Sequence, residues 1–395
     1  MRCVGTVVRG IRTPIIKEND DLVNIVIDSL MNAKKNENFE FRDKDIVAIT
    51  EAVVGISEGN YVTVDDIAED IKNKFPNKKI GLVYPILSRN RFSMILKGIA
   101  RAMDKITILL SFPSDEVGNG ILDEETLENS NFSLSSVITE EQYKKYFGNY
   151  IHPFTGINMV DFYKELVESE NCKIEFVFSN NPKTILDYAK DILVCDIHTR
   201  FKTKKALENA GAKTIYGLHQ IMNESLNGSG YNKEYGLLGS NKSTEERLKL
   251  FPKSGDKLVK EIQDKLKKLT GKTIEVMVYG DGAFKDPVGH IWELADPVVS
   301  PFYTKGLIGT PNELKLKYIS DNKFKNLKGE SLKEAIKNEI KNKDNNLKGN
   351  MLSQGTTPRR LTDLIGSLCD LTSGSGDKGT PVVFIQGYFD NLSDE

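Results

Sequence analysis

The sequence has few cysteines and almost no net charge. Its four cysteines, Cys3, Cys172, Cys195 and Cys369, lie far apart and form no C-x-x-C motif. This spacing argues against a disulfide framework and against a thiolate zinc site. The 54 basic and 56 acidic side chains give a net charge of -2, which leaves no electrostatic footprint for nucleic acid or for an anionic membrane. The sequence therefore predicts neither partner.

Long apolar runs are missing as well. No window approaches the about 18 uncharged apolar residues that a membrane helix requires, and the first residues contain no stretch of signal-peptide length. We therefore expect a cytoplasmic protein. Histidine is scarce, and no H-x-x-x-H spacing or marked nucleophilic partner accompanies it. We favour structural roles for the four histidines, His152, His198, His219 and His290.

The sequence does contain an alternation of short β-rich runs and helical patterns. A chain of 395 residues predicts two or three packed units, at about 150 residues per domain. The alternation predicts a mixed α/β architecture, of the α+β kind with mixed sheets. The seven candidate strands span residues 45–50, 79–84, 105–112, 173–178, 192–196, 273–279 and 381–387.

Two helices carry clear local signals. Leu258, Ile262 and Leu266 recur at helical spacing and form one apolar stripe, so this helix should lie on a sheet. Asp20 and Asp21 precede an apolar-periodic segment and predict an acidic N-cap for the first helix. A role of these two carboxylates in a site is the alternative interpretation.

Two stretches look like additions to a smaller core. Residues 113–170 are polar with weak periodicity, and residues 312–355 are rich in Lys and Asn. Within the second stretch, Ser331 and Glu334 have the spacing of a capping box. The polar faces of the segment that follows predict a solvated helix rather than a basic binding patch.

A Gly-rich loop at residues 373–381 separates a helical pattern from an apolar strand. The loop matches the pattern G-x-G-x-x-G. In dinucleotide-binding folds this pattern follows a strand and precedes a helix, whereas here it follows a helical pattern and precedes a strand. Its unhindered backbone N–H groups form a nest that suits a phosphate, while a flexible connection is the alternative. The candidate phosphate-binding residues are Gly374, Ser375, Gly376, Asp377, Lys378 and Gly379.

Two aspartates follow the strand at residues 273–279. Asp281 stands between two glycines directly after the strand, and Asp286 follows shortly behind it. Carboxylates at the end of a strand are well placed to hold Mg²⁺ or Mn²⁺, which prefer oxygen ligands and bridge nucleotide phosphates. The alternative is a turn-forming Asp-Gly pair. We favour the metal.

Two arginines stand at the start of a predicted helix. Arg89 and Arg91 follow the strand at residues 79–84 and precede the pattern FSMILKGIARAM. Because cations at a helix N-terminus oppose the helix dipole, their placement indicates a bound anion such as a substrate carboxylate or phosphate. Internal salt bridges are the alternative. With Asp281, these arginines are the candidate catalytic residues.

Five segments together resemble one known family. Residues 12–22 (RTPIIKENDDL), 45–51 (DIVAITE), 57–59 (SEG), 269–282 (LTGKTIEVMVYGDG) and 374–386 (GSGDKGTPVVFIQ) are similar in order and spacing to the coenzyme F-420 gamma-glutamyl ligases. The resemblance implies that family's α/β fold, here with insertions, in an intertwined homodimer. It divides the chain into core segments at residues 1–112, 235–311 and 356–395, and inserted segments at 113–234 and 312–355.

The resemblance also implies a reaction. GTP, with Mg²⁺ or Mn²⁺, would phosphorylate the carboxylate of a small-molecule acceptor, and L-glutamate would attack the resulting acyl phosphate to give a gamma-linked amide. Residues 373–380 would wrap the phosphates, and Asp281 would hold the metal. The other nucleotide-binding residues implied are Pro14, Ile15, Ile16, Thr50, Ser240 and Asn241.

Three positions depart from the family pattern. Ala52 and Ile56 stand where two nucleotide-binding lysines are expected, and Leu238 stands where an aspartate is expected. Two alternatives to the ligase therefore stay open. One is a catalytically divergent or inactive relative that binds a phosphorylated metabolite or a protein partner. The other is a different phosphate chemistry on the same scaffold.

Overall fold

The structure is a computed structural model that describes residues 3–153, 155–282, 294–354, 359–373 and 376–394. This described part contains fourteen strands, twelve α-helices and four short 3-10 helices. The strands are β1 (Val7–Ile11), β2 (Ile46–Thr50), β3 (Tyr61–Thr63), β4 (Lys79–Val83), β5 (Lys105–Leu110), β6 (Ile138–Thr139), β7 (Lys173–Phe178), β8 (Asp191–Val194), β9 (Thr214–Gly217), β10 (Asn241–Thr244), β11 (Arg247–Lys249), β12 (Glu275–Tyr279), β13 (Phe302–Tyr303) and β14 (Val382–Gln386). The helices are α1 (Leu22–Glu37), α2 (Glu51–Ser57), α3 (Val64–Lys74), α4 (Phe92–Ala102), α5 (Glu124–Glu128), α6 (Glu140–Phe147), α7 (Met159–Ser169), α8 (Arg200–Asn209), α9 (Gly255–Thr270), α10 (Leu316–Asn322), α11 (Gly329–Lys341) and α12 (Leu361–Thr372). The expected mixed α/β architecture is confirmed.

The first of the two large sheets has five strands in the order β1-β14-β2-β12-β13. Its three central strands are buried along their whole length, as expected of strands covered on both faces. Alternate residues such as Val47 and Val276 pack against α1 and α9. The residues between them, such as Ala48 and Met277, pack against α12. The period of two in a strand thus assigns each helix its face of the sheet.

The helical predictions for this layer are confirmed. Ile262 and Leu266 on α9 are buried in the same cluster as the sheet, and Leu258 packs against that cluster. Asp21 caps α1, since its Oδ1 accepts a hydrogen bond from the backbone N–H of Asn24 at 3.0 Å.

The second large sheet has six strands in the order β6-β7-β5-β4-β8-β9. All its neighbouring strands are parallel except β6, which is antiparallel to β7. From β4 the chain proceeds to β5 and β7 on one side, and then returns to add β8 and β9 on the other. Helices α4 and α7 pack on one face, and α8 packs on the other. The strand order therefore reverses between β4 and β8.

A third, small antiparallel sheet has the strand order β10-β11-β3. In the sequence, its strands stand where the chain passes from one large sheet to the other. Its register pairs Lys249 with both Tyr61 and Asn241. This pairing joins the hairpin at residues 241–249 to the distant strand β3 and brings Lys249 beside Gly55 of α2.

Helices α10 and α11 form a separate small cluster. Ile319, Ile336, Ile340 and Leu347 are buried in it, so α11 is solvated on one side only. The capping-box prediction is wrong, because α11 begins at Gly329 and the Ser331 hydroxyl donates to the carbonyl of Lys328 at 2.7 Å. Among the described residues, no helix has the length and apolar character needed to cross a membrane.

Candidate active site

The parallel pairing of β2 and β12 creates the site. Thr50 lies opposite Tyr279 in the register of these strands, so both strands end at the same edge of the sheet. The residues that follow, Glu51 and Asp281, therefore meet at this edge. A cavity of about 750 Å³ opens there, which we call the acidic cavity. It is lined by Thr50, Glu51, Ala52, Ile56, Tyr61, Asn90, Arg91, Asn241, Lys242, Ser243, Lys249, Tyr279, Gly280, Asp281 and Asp370.

Two glycines allow other carboxylates to approach Asp281. A Cβ atom on Gly280 would clash with Oδ2 of Asp296, and one on Gly282 would lie 3.0 Å from Oδ2 of Asp370. With glycine at both positions, the backbone N–H of Asp281 donates to Asp296 at 2.8 Å, and that of Gly282 donates to Asp370 at 2.9 Å. The Gly-Asp-Gly sequence is thus what gathers the acidic side chains.

Arg91 connects these carboxylates. Its Nη2 lies 2.6 Å from Oδ2 of Asp281, and its Nη1 lies 2.7 Å from Oδ1 of Asp296. The structure therefore brings together two of the three candidate catalytic residues. The contacts are internal salt bridges, which is one of the two interpretations that the sequence left open for this arginine.

A second ion pair lies in the wall of the cavity. Nζ of Lys249 lies 2.7 Å from Oε2 of Glu51, and the two side chains are only 6% and 5% exposed. Burial raises the pKa of the Glu51 carboxyl, and the positive charge of Lys249 opposes that rise. The pair is thus held in a medium where charges interact strongly.

Negative charge exceeds positive charge in this cluster. Burial and the neighbouring Asp296 raise the pKa of Asp281 to about 7, although Arg91 opposes the rise. Burial likewise raises the pKa of Asp370. The ionisable groups are the carboxylates Glu51, Asp281, Asp296 and Asp370, and the cations Arg91 and Lys249. Were all four carboxylates ionised, these six groups would carry two excess negative charges, of which Lys242, another residue lining the cavity, would offset one. A bound cation would therefore lower the repulsion between the carboxylates.

The donor set fits a cation that shares its ligands with a substrate. Among the described residues, no three His, Cys, Asp or Glu side chains converge on a point where a metal ion would be held by the protein alone. Mg²⁺ is usually bound by one or two carboxylates together with substrate phosphates, and Asp281 and Asp370 provide two on one cavity wall. Asp286, the other predicted ligand, lies outside the described residues.

A comparison with protein families decides what this scaffold is. The model of the F420-0:gamma-glutamyl ligases matches residues 10–387. The chain belongs to the F420-0:gamma-glutamyl ligase family. The family resemblance expected from the sequence is confirmed, and the matched range includes both large sheets apart from residues 7–9 of β1. Membership supports an enzyme that forms gamma-glutamyl bonds. No curated protein shows significant similarity to the chain.

The residues that are expected to bind a nucleotide in a gamma-glutamyl ligase lie in two regions of the structure. Thr50 and Asn241 line the acidic cavity. Ser240, next to Asn241, is buried, and its hydroxyl donates to the carbonyl of Leu237 at 2.8 Å. Its side chain therefore closes a turn.

Pro14 and Lys378 line a second cavity of about 960 Å³, which we call the basic groove. Its other basic residues are Arg9 and Arg12. Ile15 beside it is 87% exposed, whereas Ile16 is buried in the core.

The Gly-rich loop of this ligase lies against the segment before Pro14. Gly379 has a φ of +64°, and its carbonyl accepts a hydrogen bond from the backbone N–H of Thr13 at 3.3 Å. Gly376 and Asp377 are exposed, as is Lys378. The hydroxyl of Ser373 donates to that of Thr380 at 2.9 Å and closes the base of the loop. Gly374 and Ser375 lie outside the described residues.

The third candidate catalytic residue, Arg89, lies apart from this cluster. It is exposed, and its charge adds to burial in lowering the pKa of His152. Four ionisable residues of the acidic cavity cluster were not predicted as site residues: Glu51, Lys249, Asp296 and Asp370. Only Glu51 carries a local signal, because it follows a buried strand within a segment similar to the family. The other three converge through strand register and helix packing.

Proposed function

We propose that the acidic cavity is the active site of a GTP-dependent and divalent-metal-dependent ligase that adds L-glutamate to a carboxylate of a small cofactor-like substrate. The observation that carries this proposal is the convergence of Glu51, Asp281 and Asp370 with Arg91 and Lys249 on one cavity, with Asp296 buried behind Arg91, in a chain of a gamma-glutamyl ligase family. An acyl phosphate is the intermediate that joins GTP hydrolysis to amide formation.

The acidic and the basic residues of the acidic cavity would have different roles. Asp281 and Asp370 would hold Mg²⁺ or Mn²⁺, which when bound neutralises charge on the transferring phosphoryl group. Arg91 is anchored through Nη1 by the fully buried Asp296, and the second hydrogen of its Nη2, the nitrogen that contacts Asp281, would donate to a carboxylate or phosphate oxygen of the substrate. Lys249, which also lines the cavity, would supply a second positive charge.

The bonds change in two steps. An acceptor carboxylate oxygen attacks the γ-phosphorus, and the bond to GDP breaks. The amine of L-glutamate then attacks the acyl carbon, the bond to phosphate breaks, and the released phosphate takes the amine proton. In both steps the preorganised charges of the cavity stabilise the charge that develops on oxygen.

The basic groove would take the rest of the nucleotide. Both cavities reach the C-terminal end of α12, since Asp370 lines one and Thr372 lines the other. We place the base and ribose near Pro14, Ile15 and Ile16, and the phosphates along residues 373–380, which include Lys378. A homodimer is part of the proposal, and the exposed apolar face of α12 supports it.

One observation favours a second function. Ala52 and Ile56 line the acidic cavity where the family pattern has lysines, and Leu238 is buried and apolar. A divergent relative that binds a phosphorylated metabolite or a protein partner without ligating glutamate would tolerate these changes.

A single assay separates the two functions. The protein is incubated with F420-0, L-glutamate, GTP and Mn²⁺, and products are read by mass spectrometry together with phosphate release. The ligase proposal expects one glutamyl addition for each phosphate released, and a Tm that rises with GTP and Mn²⁺. Ligand-induced stabilisation without glutamate consumption would favour the divergent relative instead. No stabilisation by any nucleoside triphosphate would reject the ligase.

A further inference from the structure

The six-stranded sheet delivers an arginine to the acidic cavity from its own switch point. In open parallel sheets, ligands bind beyond the carboxyl ends of the strands where the strand order reverses. Here that point lies between β4 and β8. The segment that leaves β4 at this point, residues 84–91, ends at Arg91 in the wall of the acidic cavity. Arg91, at the ligand-binding edge of the six-stranded sheet, thus completes the site at the edge of the five-stranded sheet.

One tyrosine holds this segment. Tyr163 on α7 is fully buried, and its hydroxyl oxygen accepts a hydrogen bond from the backbone N–H of Ser88 at 2.8 Å. The same hydroxyl donates to the carbonyl of Ile86 at 2.8 Å. The hydroxyl oxygen of Ser88 in turn accepts a hydrogen bond from the backbone N–H of Arg91 at 3.1 Å. A continuous chain of hydrogen bonds therefore runs from Tyr163 to the backbone of Arg91.

Packing alone does not account for the hydroxyl. The ring of Tyr163 contacts Phe92 and Phe162, with centroid distances of 5.8 Å to each, and phenylalanine would make the same ring contacts. A buried hydroxyl stabilises only when it is hydrogen-bonded. Both of its short bonds go to the segment that carries Arg91, and a third protein contact, at 3.4 Å, is to Ser88 as well.

We propose that Tyr163 is a positioning residue of the ligase site, which fixes residues 86–91 so that Arg91 reaches Asp281 and Asp296. The inference rests on the proposed function for the role of Arg91, but its structural part stands without it. Tyr163 lies in the segment at residues 113–234 that the resemblance to the family predicts to be an insertion in the core. That inserted segment therefore has a function in the site.

Hydrogen exchange tests the structural part without any substrate. Tyr163→Phe removes the hydroxyl and keeps the ring, so the Ser88 amide loses its partner, and exchange over residues 86–91 should accelerate about fivefold to tenfold. Tyr143→Phe is the matched control, because that buried hydroxyl also binds a carbonyl, of Ile121 at 2.8 Å, away from this segment. Unchanged exchange in Tyr163→Phe, or equal acceleration in Tyr143→Phe, would overturn the proposal.

Kinetics test the functional part. With F420-0, L-glutamate, GTP and Mn²⁺, Tyr163→Phe should lower kcat between about tenfold and a hundredfold and leave KM for GTP within about twofold. In an Arg91→Met background the same change should have no further effect, since Tyr163 acts through Arg91. Additive losses, or an unchanged kcat, would contradict the role. A wild-type protein without ligation would reject the proposed function, while the exchange result would still decide the positioning.

Discussion

At the residue scale, the buried ion pair of Lys249 and Glu51 shows why the acidic cavity carries a cost in folding free energy. Each is almost fully buried, and each is the other's close counter-charge. A buried pair is often no more stable than an apolar pair of the same size, but removing one partner leaves an uncompensated charge. We therefore interpret the pair as retained for its function in the cavity.

Replacing Lys249 measures this cost. Lys249→Met should lower the free energy of unfolding by about 3–5 kcal/mol, because Glu51 stays buried without its partner. Urea unfolding gives the value, and adding Glu51→Gln should recover part of it. On the exposed α9 pair with Glu261, Lys265→Met should cost no more than about 0.5 kcal/mol. Equal losses at Lys249 and Lys265 would contradict the buried pair.

His219 gives the protein a pH dependence away from the cavity. Burial lowers the pKa of this histidine to about 4, and the positive charges of Arg200 and Lys204 add to the effect. In the unfolded chain the pKa returns to about 6.5, so the unfolded state binds the proton first. The stability that His219 contributes is therefore fully present above pH ~6.5 and is lost as the pH falls towards ~4.

The measurement is the free energy of unfolding between pH 7 and pH 4. His219→Gln should flatten the decline relative to the wild type, because glutamine takes up no proton. A decline as steep in His219→Gln as in the wild type would show that other groups cause it.

At the scale of elements, the β-strands that the sequence predicted are mainly those buried on both faces of a sheet. The seven predicted strands are confirmed with small changes at their ends, and all contain continuous apolar runs. The strands that were not predicted are short or lie at sheet edges, as with β6, β9 and β13. The small sheet of β3, β10 and β11 escaped for the same reason. Because β11 carries Lys249, the position of that residue in the cavity was not predictable from the sequence.

Helix α12 has an apolar face that the described chain covers only in part. Leu361, Leu364 and Leu368 are half-buried, and Leu371 is 65% exposed. We expect this face to contribute to a homodimer interface. Leu371→Glu should then convert a dimer into a monomer in light scattering after size exclusion. Leu269→Glu, at the 59% exposed Leu269 of α9, should not. A dimer that survives Leu371→Glu, or a monomeric wild type, would contradict this interface.

At the scale of the whole molecule, two sheets of different design share one cavity. The five-stranded sheet contributes Glu51 and Asp281 at the ends of parallel strands, and the six-stranded sheet contributes Arg91 from its switch point. The sequence predicted Asp281 and Arg91 separately, from strand-end and helix-start patterns. Their contact was not predictable, because 190 positions separate them and only the relative placement of the two sheets joins them.

The same limit applies to Asp296 and Asp370. Neither stands in a motif, and both become part of the site because Gly280 and Gly282 let them approach Asp281. Local sequence reports local chemistry well, whereas a cluster assembled from six separate positions of the chain depends on tertiary packing.

The central claim is that the acidic cavity performs the ligation, and Asp281→Asn tests it most directly. The rate of glutamate addition to F420-0 is measured with GTP and Mn²⁺, beside Asp264→Asn at an exposed aspartate of α9 as the control. We predict a loss of at least about a hundredfold for Asp281→Asn, with the control at the wild-type rate. Ligation by Asp281→Asn at the wild-type rate would contradict the account.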